Sequence, residues 1–250
     1  MTERTTAYNA LELFSKNTHF YGDVNQIGKH DYYFLTFLSK FAGSKSNLLD
    51  IGGGSGKFAS LTKDNIPDMD VTVVDPCQPL LNMISNPQIK SVCGELPENL
   101  NLDNCGPFKF IHIKEVLHHI VGASIKDSKK LCKTSLMEAS EMLDEDGYLL
   151  VHEIFYEGHI ITSLPRTLIF YLCEFQRKTK IKIPVDEFLE GLSVCFYTRN
   201  ELRSLLSDCG FEIVQCNEED WKKSYRTTLL GIKRYGRMLF ILKKRASNNH

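Results

Sequence analysis

The stretch Leu48-Leu49-Asp50-Ile51-Gly52-Gly53-Gly54-Ser55-Gly56-Lys57-Phe58 decides the fold. Leu48 to Ile51 is a short apolar run with a single acid, the pattern of a buried strand. Glycines follow at once at 52, 54 and 56. Lacking Cβ atoms, they let the chain turn tightly and let a ligand lie against the backbone. Lys57 onward reads as the first turn of a helix, whose free N-terminal amides suit a ligand oxygen. Strand, glycine loop and helix in that order make a nucleotide-binding loop.

Outward from this stretch the rhythm repeats. Short apolar runs at Asn47–Ile51, Val71–Val74, Ile89–Val92, Phe108–Ile113 and Tyr148–Ile154 alternate with amphipathic segments. Such alternation predicts parallel βαβ units, hence a doubly wound sheet with helices on both faces. Residues 7–42 read as helical, with Phe34, Phe37, Leu38 and Phe41 on one face. Residues 156–196 interrupt the rhythm with an apolar and basic insertion. Thr198 and Glu201 form a capping box for a further helix, which Gly210 closes before a strand at Phe211–Gln215. The last strand, Arg237–Lys243, follows with no long helix between, which predicts an antiparallel hairpin at the sheet edge. Seven strands result, mostly parallel.

The loop alone fits two cofactors. A dinucleotide fingerprint, G-x-G-x-x-G with an acid about 20 residues on, fails at Lys57 if counted from Gly52. Counted from Gly54 it ends on Ala59, which only the looser form accepts. Asp50 separates the readings, because a carboxylate there would repel a pyrophosphate. It suits a ligand bearing an ammonium and a sulfonium.

On these residues the chain resembles the class I, Rossmann-like S-adenosylmethionine-dependent methyltransferases of small-molecule type. Their first motif, acid-x-Gly-x-Gly-x-Gly, stands here as DIGGGSG. Their ribose-binding acid at the end of the second strand matches Asp75 in VTVVDP, about 20 residues past Gly56. Their adenine-side acid matches Glu95 in CGELP, with glutamate in place of the usual aspartate. Val116-Leu117-His118-His119-Ile120 and Leu143-Asp144-Glu145-Asp146-Gly147 match the segments after strand four and before strand five. The resemblance covers about residues 45–155 and 197–243. It implies cofactor contacts from Asp50, Gly52, Gly54, Ser55, Gly56, Asp75, Pro76, Glu95 and Glu115, and S-adenosyl-L-methionine as the cofactor. It also implies an N-terminal lid over 1–44, in which Tyr21 could cover the cofactor. A cofactor-binding core spans 45–155, a substrate-cap insertion 156–197, and a C-terminal helix and edge hairpin 198–250, all in one domain.

In-line methyl transfer needs alignment and no metal; a general base helps when the acceptor is a hydroxyl or an acidic carbon. His118, after strand four, is the candidate base, and His152 and Glu153 at the end of strand five are second candidates. His112, inside strand four, reads as structural, and Lys114 as solvated. Leu164, Leu168, Ile169, Leu172 and Phe175 repeat at helical spacing within the insertion. Such a cap suits a lipophilic or aromatic acceptor, methylated on oxygen or carbon; the same face could instead pack on the core or a second subunit. Two rival functions stand beside this one: a nicotinamide-dependent reductase and a non-catalytic S-adenosylmethionine-binding module.

Bulk properties narrow the setting. The 250 residues are 42% apolar and 24% charged, with formal net charge −1, so nothing draws the whole protein to nucleic acid or an anionic membrane. From Trp221 to Arg245 the chain carries Lys222, Lys223, Arg226, Lys233, Arg234, Arg237, Lys243, Lys244 and Arg245 and no acid. This reads as solvated charge guarding an edge hairpin, with RNA, acidic lipid or an anionic substrate as the alternative partner of a basic patch. No basic n-region precedes an apolar run, and Leu168–Phe175 is too short to span a bilayer, so the expected location is cytoplasmic. Eight cysteines without a Cys-x-x-Cys pair read as reduced, buried thiols, not as a metal site. A small-molecule acceptor is the expected partner, and the oligomeric state, with a homodimer among the alternatives, stays open.

Overall fold

The computed structural model describes residues 27–43, 45–97, 100, 102, 105–179, 181, 192–222, 227 and 230–245. Tyr21 and most of the expected lid lie outside them. The elements run α1 (Lys29–Phe41), β1 (Asn47–Ile51), α2 (Lys57–Asn65), β2 (Asp70–Asp75), α3 (Gln78–Leu81), β3 (Ile89–Cys93) and β4 (Phe108–Lys114). A 3-10 turn (Leu117–His119), α4 (Ile125–Met142), β5 (Leu143–Gly158), α5 (Leu164–Thr179), α6 (Arg199–Asp208), β6 (Phe211–Asp220) and β7 (Ile232–Lys244) follow.

The seven strands form one sheet in the order β3-β2-β1-β4-β5-β7-β6. β7 runs antiparallel to both its neighbours, and the ladders from β3 to β5 are parallel. The strand order reverses between β1 and β4, and at such a switch the crevice beyond the strand ends is where ligands bind. The apolar residues divide as a two-faced sheet requires. On one face Phe34, Phe37 and Leu38 of α1 and Phe58 of α2 pack on Val71, Val73, Phe110, Leu150 and Ile241. On the other, Cys132, Leu136 and Ala139 of α4 and Leu202, Leu205 and Leu206 of α6 cover Ile51, Ile111, Ile113, Val151 and Phe240. A fully buried side chain such as Phe34 contributes about 1.5–3 kcal/mol over its exposed state.

The capping box at Thr198 forms as expected: its hydroxyl accepts from Glu201 N and the Glu201 carboxylate accepts from Thr198 N. Gly210 closes that helix with φ +82°.

Three expectations change. β5, β6 and β7 are much longer than their apolar runs. Their outer halves carry charged pairs, Arg234 of β7 with Asp220 of β6 and Glu157 of β5 with Arg199 of α6, which hydropathy cannot reveal. The insertion forms α5, but Leu164, Leu168 and Phe175 are exposed. The helix buries Ile169, Phe170 and Cys173 instead, with Ile169 and Cys173 against Leu192, Val194 and Phe196. All eight cysteines are free; four are buried, Cys93 is exposed and three are half-buried.

Candidate active site

The glycine loop leaves β1 with Gly52, Gly54 and Gly56 all at positive φ, a region that L side chains rarely adopt. Neighbouring atoms forbid side chains here too. A Cβ on Gly52 would meet Val116, and one on Gly53 would lie 2.6 Å from Asp50 Oδ2. Asp75, at the end of β2, fastens the loop: Gly54 N donates to its Oδ2 (2.9 Å) and Cys77 N to its Oδ1 (2.8 Å). Burial pushes the Asp75 carboxyl up to about 6, while these two amides pull the other way. An ionised carboxylate offers about four acceptor positions, so Asp75 keeps capacity for further hydroxyl donors. Pro76 and Glu95 border the same strand ends, both half-buried.

Asp50 is buried, and its Oδ1 lies 2.8 Å from His112 Nδ1 on the adjacent β4. Its Oδ2 is buried without a partner among the described residues, as is the Ser55 hydroxyl. A small cavity of about 20 Å³ touches Asp50, Gly52, Gly53, Lys57, Phe58, His112, Lys114 and Ile27. A wider cleft of about 390 Å³ runs along α2 past Ser60, Leu61 and Asp64, and none of the strand-end acids borders it. Lys114 is not a solvated lysine: Asp31 of α1 accepts from its Nζ at 2.9 and 3.1 Å.

A second constellation lies over the ends of β4 and β5. His118 is buried with Nδ1 2.6 Å from Glu153 Oε1, and that carboxylate also accepts from Ile154 N. Burial disfavours the charged imidazole, but the Glu153 charge and hydrogen bond outweigh it, so the His118 pKa is raised. The neighbouring His119 is held well below the usual value by burial and by His118. The His118 ring stacks on Phe196 at 4.8 Å. Phe196 continues through Tyr156 and Tyr235 to Trp221, ring against ring, with Arg237 over the indole.

Glu115 sits at φ +56°, the one non-glycine residue in that region among those described, and its carboxylate faces Arg237 Nε at 3.2 Å and His152 Nε2 at 3.6 Å. His152 is buried, and burial with Arg237 and Lys114 nearby holds its pKa well below the ordinary histidine value.

Thus Asp50 and Asp75 stand toward the C-terminal ends of the adjacent β1 and β2, the glycine loop and Ser55 follow β1, and Pro76 and Glu95 follow β2 and β3. Glu115 and His118 stand on the β5 side, Glu115 turned toward Arg237. Sequence reasoning passed over Glu153's bond to His118, Phe196 and Asp31. Packing between separate elements brings such residues together, and no local motif marks them.

The residues fit S-adenosylmethionine on the structure's own terms. An unpartnered buried carboxylate oxygen faces a loop that no side chain could fill, and a second carboxylate has acceptors to spare. The family model for a methyltransferase domain matches residues 30–216. This chain belongs to that family. The methyltransferase has no match among curated proteins. Its fold is shared by solved structures at low identity. One is the 1,6-didemethyltoxoflavin-N1-methyltransferase of Burkholderia thailandensis with bound S-adenosylhomocysteine (18% identity, TM-score 0.60, covering 98% of this chain and 91% of that one). Another is a TehB-like S-adenosylmethionine-dependent methyltransferase from Corynebacterium glutamicum (12%, TM-score 0.56, 94% and 98%). The third is a cysteine-to-alanine variant of LepI in complex with S-adenosylhomocysteine and a substrate analogue (13%, TM-score 0.54, 85% of this chain); the methyltransferase spans 46% of LepI's length. The protein is an S-adenosylmethionine-dependent methyltransferase, and the nicotinamide-dependent reductase is set aside. Among the described residues no helix is long and apolar enough to cross a membrane.

Proposed function

We propose that the methyltransferase transfers its methyl group to oxygen or acidic carbon of a small, lipophilic or aromatic molecule, with His118 as general base. The observation that carries this reading is the buried His118–Glu153 pair at the head of a row of aromatic rings. Such a row offers stacking to a planar acceptor, worth about 0.5–1.5 kcal/mol per ring pair beyond area burial.

Opposite a carboxylate, His118 Nδ1 must be the donor, which leaves Nε2 bare to take the acceptor's proton. Glu153 fixes that tautomer and stabilises the imidazolium formed. When bound, S-adenosylmethionine supplies an activated methyl and departs as a neutral thioether. Asp75 would take the ribose hydroxyls, Glu95 the adenine side, and Asp50 with the loop amides the methionyl end; Glu115 stands between cofactor and acceptor. In this reading residues 1–44 act as lid, 45–155 as cofactor core, 156–197 as acceptor cap and 198–250 as the closing helix and hairpin.

Three basic residues of β7 are engaged within the protein, Arg234 with Asp220, Arg237 with Glu115 and Lys244 with a backbone carbonyl. This supports a small acceptor over RNA. The first neighbour described above is named for methylation at a ring nitrogen, which favours a nitrogen heterocycle as a second reading.

The test is label transfer from methyl-labelled S-adenosylmethionine to a panel of phenols, enols and nitrogen heterocycles. A phenol or enol should be labelled, and His118→Gln should lower kcat by about 10²–10⁴ with S-adenosylhomocysteine affinity unchanged. Labelling of heterocycles alone, at a rate indifferent to His118→Gln, would transfer the case to the second reading.

A further inference from the structure

We propose, on the cofactor assignment made above, that His112 is a positioning residue for the cofactor's amino-acid end. It acts by holding the Asp50 carboxylate in one orientation. The two residues lie directly opposite each other in the β1–β4 ladder. Their side chains meet at 2.8 Å, both about 1% exposed.

The terminal torsion of an aspartate is broad and two-fold, so a strand position alone does not decide where its oxygens point. His112 decides it. Its ring lies between Phe58 (4.1 Å, tilted by 34°) and Phe34 (5.4 Å, edge-on), which leaves the imidazole little freedom. From that fixed ring Nδ1–H can donate only to Oδ1. Oδ2 is thereby turned to the loop, where a Cβ on Gly53 would lie 2.6 Å from it. Oδ2 has no partner among the described residues, and Asp50 lines the small cavity together with Gly52 and Gly53.

A buried carboxylate needs hydrogen-bond donors, and His112 supplies one. The one donor on Oδ1 therefore fixes the carboxylate and reserves Oδ2. His112 lines the same cavity, and its Nε2 has no partner among the described residues. The imidazole thus completes a polar floor for an amino acid, and its placement under the loop is more than core packing.

The test compares two ligands by calorimetry. S-adenosylhomocysteine carries the amino-acid end, and 5′-methylthioadenosine lacks it. His112→Phe should weaken S-adenosylhomocysteine about 10–100-fold, the range for losing a hydrogen bond to a charged group, and change methylthioadenosine less than about 2-fold. His112→Asn, whose amide nitrogen can occupy the Nδ1 position, should restore most of the loss. His112→Gln, which mimics Nε2, should not. In an Asp50→Asn background His112→Phe should add almost nothing, because both act through one contact. Equal weakening of both ligands in His112→Phe, or full additivity with Asp50→Asn, would overturn the proposal. So would wild-type affinity for S-adenosylhomocysteine in a folded His112→Phe. Wild-type protein that binds neither ligand would remove the cofactor assignment itself, and the proposal with it.

Discussion

The two sides of the crevice are built by different means. Around β1 and β2 the polar groups come from short contiguous segments, Asp50 to Gly56 and Asp75 to Cys77, and much of the work falls to backbone amides and absent side chains. Around β4 and β5 the groups come from far apart: His118 from a 3-10 turn, Glu153 from β5, Phe196 from the chain beyond α5, Trp221 from just after β6 and Arg237 from β7. Backbone-built sites tolerate little variation, because a Cβ in the wrong place collides with strand atoms. Side-chain-built sites can be re-lined without moving the sheet. The first arrangement suits a ligand that never changes, and the second suits an acceptor that differs between enzymes.

The sharpest way to break this contrast is to show that both sides serve binding, or that both serve turnover. His118→Gln should remove about two to four orders of magnitude from kcat and leave S-adenosylhomocysteine affinity alone, measured by single turnover and calorimetry. Asp75→Ala should do the opposite, weakening S-adenosylhomocysteine about 100-fold or more with the circular dichroism spectrum unchanged. Retained affinity there would undo the ribose assignment.

The pH dependences should part in the same way. Protonation of Asp75, whose carboxyl is raised to about 6, removes acceptor positions, so wild-type S-adenosylhomocysteine affinity should fall as pH drops through about 6; Asp75→Asn should flatten that curve. Turnover needs His118 unprotonated, so its acidic limb should lie above the ordinary histidine value of 6.5 and move down in Glu153→Gln. Stability follows the same pair. Because the folded pKa of His118 is raised, the contribution of the pair is fully present below pH 6.5 and is lost as pH rises through the folded value. Urea titrations of wild type and Glu153→Gln should therefore converge toward high pH.

Gly53→Ala should cost about 1–3 kcal/mol of stability, since Asp50 is held by His112 and cannot retreat. Smallest of all, Leu168→Gln on the exposed face of α5 should stay within about 0.5 kcal/mol of wild type. A large loss in that variant would mean that something packs against the helix.

How legible the molecule is in its sequence follows the same division. β1 and its glycine loop can be read to the residue, because strand, loop and helix signals are local and agree. The acid at 75 can be read because it ends an apolar run. Glu153 could be named as a residue of the fifth strand, although β5 continues to Gly158 beyond it, but its bond to His118 depends on how a turn after β4 settles over β5. The pairing of Asp50 with His112 needs the β1–β4 register, so a histidine inside a strand reads only as packing. The insertion misleads for another reason. Leu164, Leu168 and Phe175 share helical spacing with Ile169, yet a helix with apolar residues on several sides does not declare which side the core takes.

β7 is inserted between β5 and β6 although it follows both in the chain. A nascent chain leaves the ribosome N-terminus first at about 5–20 residues per second. The four strands β1 to β4 can therefore assemble, with the glycine loop and Asp75 in place, while the later strands are still being made. β5 must wait for its neighbour, and until β7 arrives its long outer edge presents unpaired N–H and C=O groups to any passing strand. The direction of synthesis thus gives the cofactor side an early, protected start and leaves the β5 side the more prone to mispairing during biogenesis.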